Sequence, residues 1–316
     1  MPLLQRLERD ASSLFREYPP RIHHPKKRVI FELAGGLERA PALGVVVTRW
    51  APDDALPGLG RAGTHVQSIR GPFAYDDPGP DVDAWHVNFA DPELFAFYGG
   101  PAFAQDEIQV AEHPILASVR EALKNDANFP PRTREGGRPT PVLVRGAERW
   151  CAIDTTPALA HPHGIYGQRL ARASEDALKQ AVTRLDDAHR TNVIAMAAPQ
   201  GYGRYVREDI VDILSTAVTA FSAARAESTK RVRVNTGHWG TGAFGGDRVL
   251  MAAAQIVAAR VAGLDELLYY SLDDGAAHAF DTGKRVAERF AAGTSLEAIV
   301  ATLDAMGFVW GTSDGN

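Results

Sequence analysis

Five glycines fall within the eleven residues Gly237–Asp247. They separate an alternating valine run, Arg231–Asn235, from an Ala/Val-rich stretch at 248–262. The alternation predicts a strand and the longer apolar stretch a helix. A strand–loop–helix of this kind belongs to layered α/β architectures. Glycines let a ligand approach bare backbone, and a following helix points free N–H groups and partial positive charge at the loop. That combination suits phosphate or diphosphate. A tight connection with no ligand fits the same residues, so the loop leaves both readings open. Gly240-x-Gly242-x-x-Gly245 also matches the dinucleotide fingerprint. Only one further strand, 267–272, follows it, too little for a Rossmann unit. A Walker A loop is excluded because no Gly-Lys-Ser/Thr follows.

The rest of the chain alternates in the same way. Strands are expected at 44–48, 85–90, 141–144, 192–196 and 267–272. Helices are expected at 113–124, 174–190, 206–224, 281–291 and 295–306, the last opening with the capping box Thr294-x-x-Glu297. Leu3, Leu4, Leu7, Leu14 and Phe15 recur near helical spacing, which predicts a helix over 2–18, stopped by Pro19-Pro20. Residues 21–42 read as a connecting arm, and Lys26-Lys27-Arg28 as its solvated basic part. Residues 51–83 read mostly as loop, and 125–140 as a flap or a mobile loop. The expected organisation is a helical arm at 1–43 followed by one α/β domain at 44–316, with a three-layer α/β/α arrangement.

Composition narrows the function classes. Among 316 residues there are 34 Lys+Arg and 39 Asp+Glu, a net charge of −5, and 45% are hydrophobic. Such a chain buries a core rather than staying disordered. Its single cysteine, Cys151, excludes a disulfide framework and a cysteine-built zinc site. The acidic balance argues against general nucleic-acid binding. No apolar run reaches the ~18 residues of a membrane span, and the charged start MPLLQRLERD lacks a signal-peptide core. A cytoplasmic protein is expected.

The second informative stretch is Phe89–Ile108, which ends in the adjacent acids Asp106 and Glu107 among apolar residues. Desolvation there raises a carboxyl pKa and suits a general acid. Acids are also favoured in the first turn of a helix, and composition alone favours that plainer reading.

Taken together, the two stretches resemble the poly(ADP-ribose) glycohydrolase family, a branch of the macrodomain fold. The family's later motif is approximately T-G-N-W-G-C-G-A-F-G-G-D. Here it reads Thr236-Gly237-His238-Trp239-Gly240-Thr241-Gly242-Ala243-Phe244-Gly245-Gly246-Asp247. The family signature is F-A-N, three glycines, then Q-E-E. Here Phe89-Ala90-Asp91 and Gln105-Asp106-Glu107 stand at the same separation. The resemblance implies a mixed central sheet between helical layers and hydrolysis of a glycosidic bond of ADP-ribose. It implies Glu107 as catalytic acid/base and Asp106 as the residue contacting ribose hydroxyls. It further implies Asp91, Gln105 and 236–246 as substrate-binding, with Gly240–Gly246 on the diphosphate and Phe244 beside the distal ribose. Neither a metal nor a cofactor is implied. The expected partner is ADP-ribose, free or carried by a protein or nucleic acid, and not a membrane.

The departures from the family pattern cluster at the substrate end. The three-glycine segment falls on Phe95-Ala96-Phe97. Asp91 replaces the asparagine, bringing charge and no amide donor. Asp106 is one methylene shorter than glutamate. These changes weigh against polymeric ADP-ribose and leave open hydrolysis of a single ADP-ribose from a side chain or base. A pocket that binds ADP-ribose or a related nucleotide without cleaving it is the alternative from another class.

Other residues read more simply. His23-His24 and His161-Pro-His163 lack companions at metal-ligand spacing and read as surface histidines. Tyr202 and Tyr205 fit packing better than base stacking. Trp85, Trp239 and Trp310 belong to the core, and Cys151 to a buried, inert position. Ser-His-Asp catalysis is excluded by the lack of a G-x-S-x-G turn.

Overall fold

The structure is a computed structural model, and it describes residues 1–53, 58–60 and 63–313. The elements run β1 (Leu3–Asp10), α1 (Ala11–Glu17), α2 (Pro25–Ala34), β2 (Gly44–Trp50), β3 (His65–Arg70), β4 (Val82–Phe89), α3 (Gln105–Glu112) and α4 (Ile115–Leu123). They continue with β5 (Arg134–Glu135), β6 (Arg138–Pro139), β7 (Val142–Ile153), α5 (Glu175–Ala181), β8 (Val182–Met196) and α6 (Arg207–Ala226). The last are β9 (Arg231–Thr236), α7 (Arg248–Val261), β10 (Glu266–Ser271), α8 (Asp274–Ala287) and α9 (Leu296–Ala305).

Among the described residues, eight strands form one sheet in the order β1-β2-β7-β8-β4-β9-β10-β3. Strands β8, β4, β9, β10 and β3 are mutually parallel, while β1, β2 and β7 join antiparallel. The sheet is therefore mixed, with helices on both faces, as expected. Period-2 alternation sends Trp85, Val87, Ile194, Met196, Val232 and Val234 to the face covered by α6, α7, α8 and α9. Val45, Val47, Val142, Val144, Val193 and Ala195 face the layer built by α1 to α5. The parallel strands end together at Arg70, Ser271, Thr236, Phe89 and Met196, and ligand-binding loops of open α/β sheets lie at such ends.

Several expectations are corrected. Residues 3–10 are not helical. They form an edge strand, antiparallel to β2, with Gln5, Leu7 and Arg9 alternately turned inward. Of the leucines within this strand only Leu7 packs on the core, and the open edge of β2 supplies backbone partners that outweigh propensity. Residues 21–42 contain a helix, α2, with Pro25 in its first turn. The segment 182–190 belongs to strand β8, not to the charged helix 174–190. It pairs with β7 out to Ile153↔Val182, and its exposed charges gave no apolar period to read. Strand β3 lies within the stretch expected to be loop. Within 125–140, β5 and β6 form a short hairpin. α8 starts at Asp274 because Asp273 caps it, accepting the Ala276 amide at 2.7 Å. For α9 the cap is Ser295, one residue beyond the expected Thr294. No helix among the described residues is long and apolar enough to cross a membrane.

Candidate active site

The chain leaves β4 at Phe89 and enters α3 at Gln105, so the Asp106–Glu107 pair sits in the first turn of a helix beside a parallel strand end. Gln105 ties the two elements together. Its Oε1 accepts the Phe89 amide at 2.8 Å, and its Nε2 donates to the Val87 carbonyl at 3.1 Å. The Gln105 side chain is thus engaged by β4 through both its oxygen and its nitrogen. Glu107 Oε2 accepts the Ala104 amide at 2.8 Å, half of a capping box. The helix-start role weighed for these acids is therefore real, and it occupies one carboxylate oxygen. Oε1 makes no protein hydrogen bond among the described residues.

Both acids are buried. Burial, reinforced by the neighbouring Glu107 charge, holds the Asp106 carboxyl well above the usual carboxylate range. Its Oδ1 is buried without a protein partner. Burial also raises the Asp91 carboxyl, which accepts the Glu93 amide at 2.9 Å and so closes a local turn. Asn88, on the same sheet face, donates to the Asp106 carbonyl at 3.5 Å.

Phe95, the first residue standing in for the glycine segment, has φ of 51°. This is the left-handed conformation that glycine adopts readily and an aromatic residue rarely does. Its ring is fully buried in the core under α3 and α4, which offsets the strain. The backbone turn is thus kept while the bare surface is lost. Phe97 points outward, half exposed.

The glycine loop leaves the next strand, β9. A Cβ at Gly237 would lie 2.8 Å from the Tyr270 carbonyl oxygen and 3.5 Å from the Phe89 ring, so this loop and the β4 end are in contact. Gly240 has φ of 73°, and a Cβ there would meet Ala198 Cβ at 2.5 Å. The loop closes on itself through Gly246 N to Gly240 O, Gly245 N to Gly242 O and Thr241 N to His238 O. Among the described residues, the amides of Gly242, Ala243 and Phe244 donate to no protein acceptor. The expected contribution of free helix amides is corrected. Asp247 caps α7 and accepts from Val249 N and Leu250 N, both at 2.9 Å. The exposed donors belong to the loop rather than to the helix.

Two further loop residues are structural. Thr236 donates to Gln255, and Trp239 donates its indole N–H to the Met196 carbonyl at 2.9 Å. Both side chains are buried and bonded within the fold. His238 places Nδ1 3.3 Å from the Tyr269 hydroxyl and leaves buried Nε2 unpartnered. Burial lowers its pKa to about 4, so it is neutral near pH 7. Tyr205 is packed, stacking on Trp310 at 4.0 Å, whereas Tyr202 is exposed. Cys151 is buried, with its thiol pushed up by burial. His161 is buried, contrary to the surface reading, and no metal-holding group of His, Cys, Asp and Glu occurs among the described residues.

Sequence reasoning missed Lys27. It is only 2% exposed and donates to the carbonyls of Phe97 at 3.0 Å and Tyr98 at 2.9 Å. The solvated-arm reading is corrected. The signal was present: Lys27, Ile30, Phe31 and Ala34 form the i, i+3, i+4, i+7 stripe that α2 buries.

With this geometry in hand, comparison with known proteins is informative. Residues 142–279 match the family model described as poly(ADP-ribose) glycohydrolase (PARG), macro domain fold. This stretch resembles the macro domain of the PARG family. It runs from β7 into α8, so it contains the glycine loop and excludes Asp106 and Glu107. A crystal structure of PARG from Thermomonospora curvata shares the fold with a TM-score of 0.50 at 18% identity, covering 89% of this chain and 97% of that one. The same enzyme bound to the inhibitor ADP-HPD superposes with a TM-score of 0.51 at 18% identity, covering 87% and 97%. No curated protein matches the chain by sequence.

Proposed function

We propose that this chain is an ADP-ribosyl glycohydrolase. The observation that carries the reading is the junction of two loops at neighbouring parallel strand ends. A buried acid pair follows β4, a glycine loop with unpaired amides follows β9, and Phe89 touches both. The loop amides of Gly242, Ala243 and Phe244 suit a diphosphate, which backbone N–H groups hold without a cationic side chain. The PARG macro domain and the inhibitor bound to the T. curvata enzyme support ADP-ribose as the ligand.

In this reading the glycosidic bond to the distal ribose lies over Glu107 Oε1. Cleavage passes through an oxocarbenium-like state. Glu107 donates a proton to the leaving oxygen or nitrogen and then, as carboxylate, activates water. Burial and the Glu107 charge push the Asp106 pKa well above the usual carboxylate range, which favours its protonated form as a hydrogen-bonding partner to ribose. The filled Phe95–Phe97 segment supports a single ADP-ribosyl group over a polymer, because side chains occupy what glycines would leave open. The carrier is then a protein side chain or a nucleobase.

The same filled segment favours a second reading, a pocket that binds ADP-ribose without cleaving it. Calorimetry with ADP-ribose, paired with release assays on mono-ADP-ribosylated and poly(ADP-ribosylated) protein, separates the two. Binding with release supports the enzyme, binding without release supports the module, and no binding overturns both.

A further inference from the structure

Lys27 lies on α2, 70 residues before Phe97 in sequence, yet its ammonium is fastened to the turn that precedes α3. The backbone of 21–24 is fastened to the same turn. His23 N and His24 N donate to the Gly99 carbonyl, both at 2.9 Å, and Arg21 N donates to the Tyr98 hydroxyl at 2.7 Å. Tyr98 in turn donates to Glu121 at 3.0 Å. The Lys27 ammonium lies 5.7 Å from the centre of the Phe103 ring, next to the residue that leads into the Glu107 cap. Two of its three N–H groups go to Phe97 and Tyr98.

We propose that Lys27 is a positioning residue of the acid pair, which both fastens the Phe95–Tyr98 turn beside it and supplies a positive charge to Asp106 and Glu107. The proposal rests on the glycohydrolase reading for its effect on turnover, although the charge effect itself does not depend on it. The groups facing the pair are Asp91 from the β4 end, Glu107 and Asp106 on α3, Asn88 on β4 and Lys27 on α2. On the far side of Lys27 lie His24 and Lys26, whose charges act on the same helix turn. Burial lowers the Lys27 pKa to about 8, so the cation is present at neutral pH and fades above it. While charged, it favours the carboxylate forms of its neighbours and offsets the upward push of burial and of Asp91.

The test is carboxyl 13C NMR titration of Asp106 in the full chain, with kcat/KM against pH on a mono-ADP-ribosylated protein. Lys27→Gln keeps a hydrogen-bond donor and removes the charge. It should raise the Asp106 titration midpoint by about one unit, the size expected for a nearby opposite charge, and move the acidic limb of the rate profile the same way. Lys27→Arg should leave both near the wild-type position. An unchanged midpoint in the Gln variant, or equal shifts in the two variants, overturns the proposal. In the wild type alone, the carboxyl signals should inflect near pH 8 as Lys27 deprotonates, and a flat response there overturns it even if the Gln variant does not fold. A wild type that shifts as expected but releases no ADP-ribose overturns the functional reading and leaves the charge role standing.

Discussion

At the scale of single residues, the site is made of side chains with two obligations. Glu107 caps α3 with one oxygen and leaves the other without a protein partner among the described residues. Glu107→Gln keeps a hydrogen-bond acceptor for the Ala104 amide and loses the exchangeable proton. Release of ADP-ribose should fall by roughly 10²–10⁴-fold, the span of general acid–base catalysis, while the dissociation constant for ADP-ribose measured by calorimetry changes little. Normal turnover would remove Glu107 from the mechanism. Gly240 has a different obligation. An added methyl meets Ala198 and Met251, and the positive φ adds strain. Gly240→Ala should lower stability by about 1–3 kcal/mol in urea unfolding and weaken ADP-ribose binding. Unchanged stability would mean that the loop relaxes freely.

At the scale of elements, the loops owe their shape to caps and to partners distant in sequence. α7 begins where Asp247 accepts two first-turn amides. Asp247 also fixes Tyr205 from the neighbouring loop, donating its own amide to the Tyr205 hydroxyl at 2.9 Å. Asp247→Ala should cost about 1 kcal/mol of stability as a lost N-cap. It also frees the Val249 and Leu250 amides toward the loop. ADP-ribose affinity that holds or rises while stability falls would separate the cap from the ligand site, and an unchanged melting curve would show that the cap contributes little. α2 and β1 illustrate the other dependence. β1 carries no strong strand pattern and is fixed by β2, whereas α2 has a legible apolar stripe but is placed by α5, β8 and α3, all far along the chain.

At the scale of the whole molecule, a polar seam runs through one face of the sheet. His86 stacks on Tyr75 at 4.4 Å, Tyr75 lies 4.2 Å under the Arg149 guanidinium, and Arg149 pairs with Glu112 at 2.9 Å. Burial lowers the pKa of His86 to about 3, and both of its ring nitrogens are without protein partners. The unfolded chain protonates this histidine below its ordinary value of 6.5, and the fold resists until about 3. Stability from His86 is therefore present above pH 6.5 and is lost progressively as pH falls toward 3. Asp106 and Glu112, held up by burial, act in the opposite direction. A difference measurement isolates the histidine. His86→Phe should lose roughly 1.4 kcal/mol less per pH unit than wild type between pH 6 and 4 in urea unfolding. Parallel pH dependences would show that His86 is not held neutral by the fold.

The sequence by itself determined the α/β class, the strand–loop–helix around Gly237–Asp247 and the candidate acids, because these are written locally. Alternation, glycine density and adjacent carboxylates are legible without knowing what lies across the fold. It also carried the family resemblance at both loops. The tertiary structure decided what those residues do with their atoms. Gln105, Thr236 and Trp239 spend their side chains on the fold, and Asp247 takes the helix amides that a phosphate was expected to meet. Residues 3–10 and 182–190 became strands because open edges of β2 and β7 offered backbone partners, which outweigh a weak local preference. Lys27 reaches the turn before α3 because the buried stripe of α2 begins with it. Hydrogen-bond partners and burial are set by groups distant in sequence, and a charge beside two acids becomes visible only when the chain has brought them together.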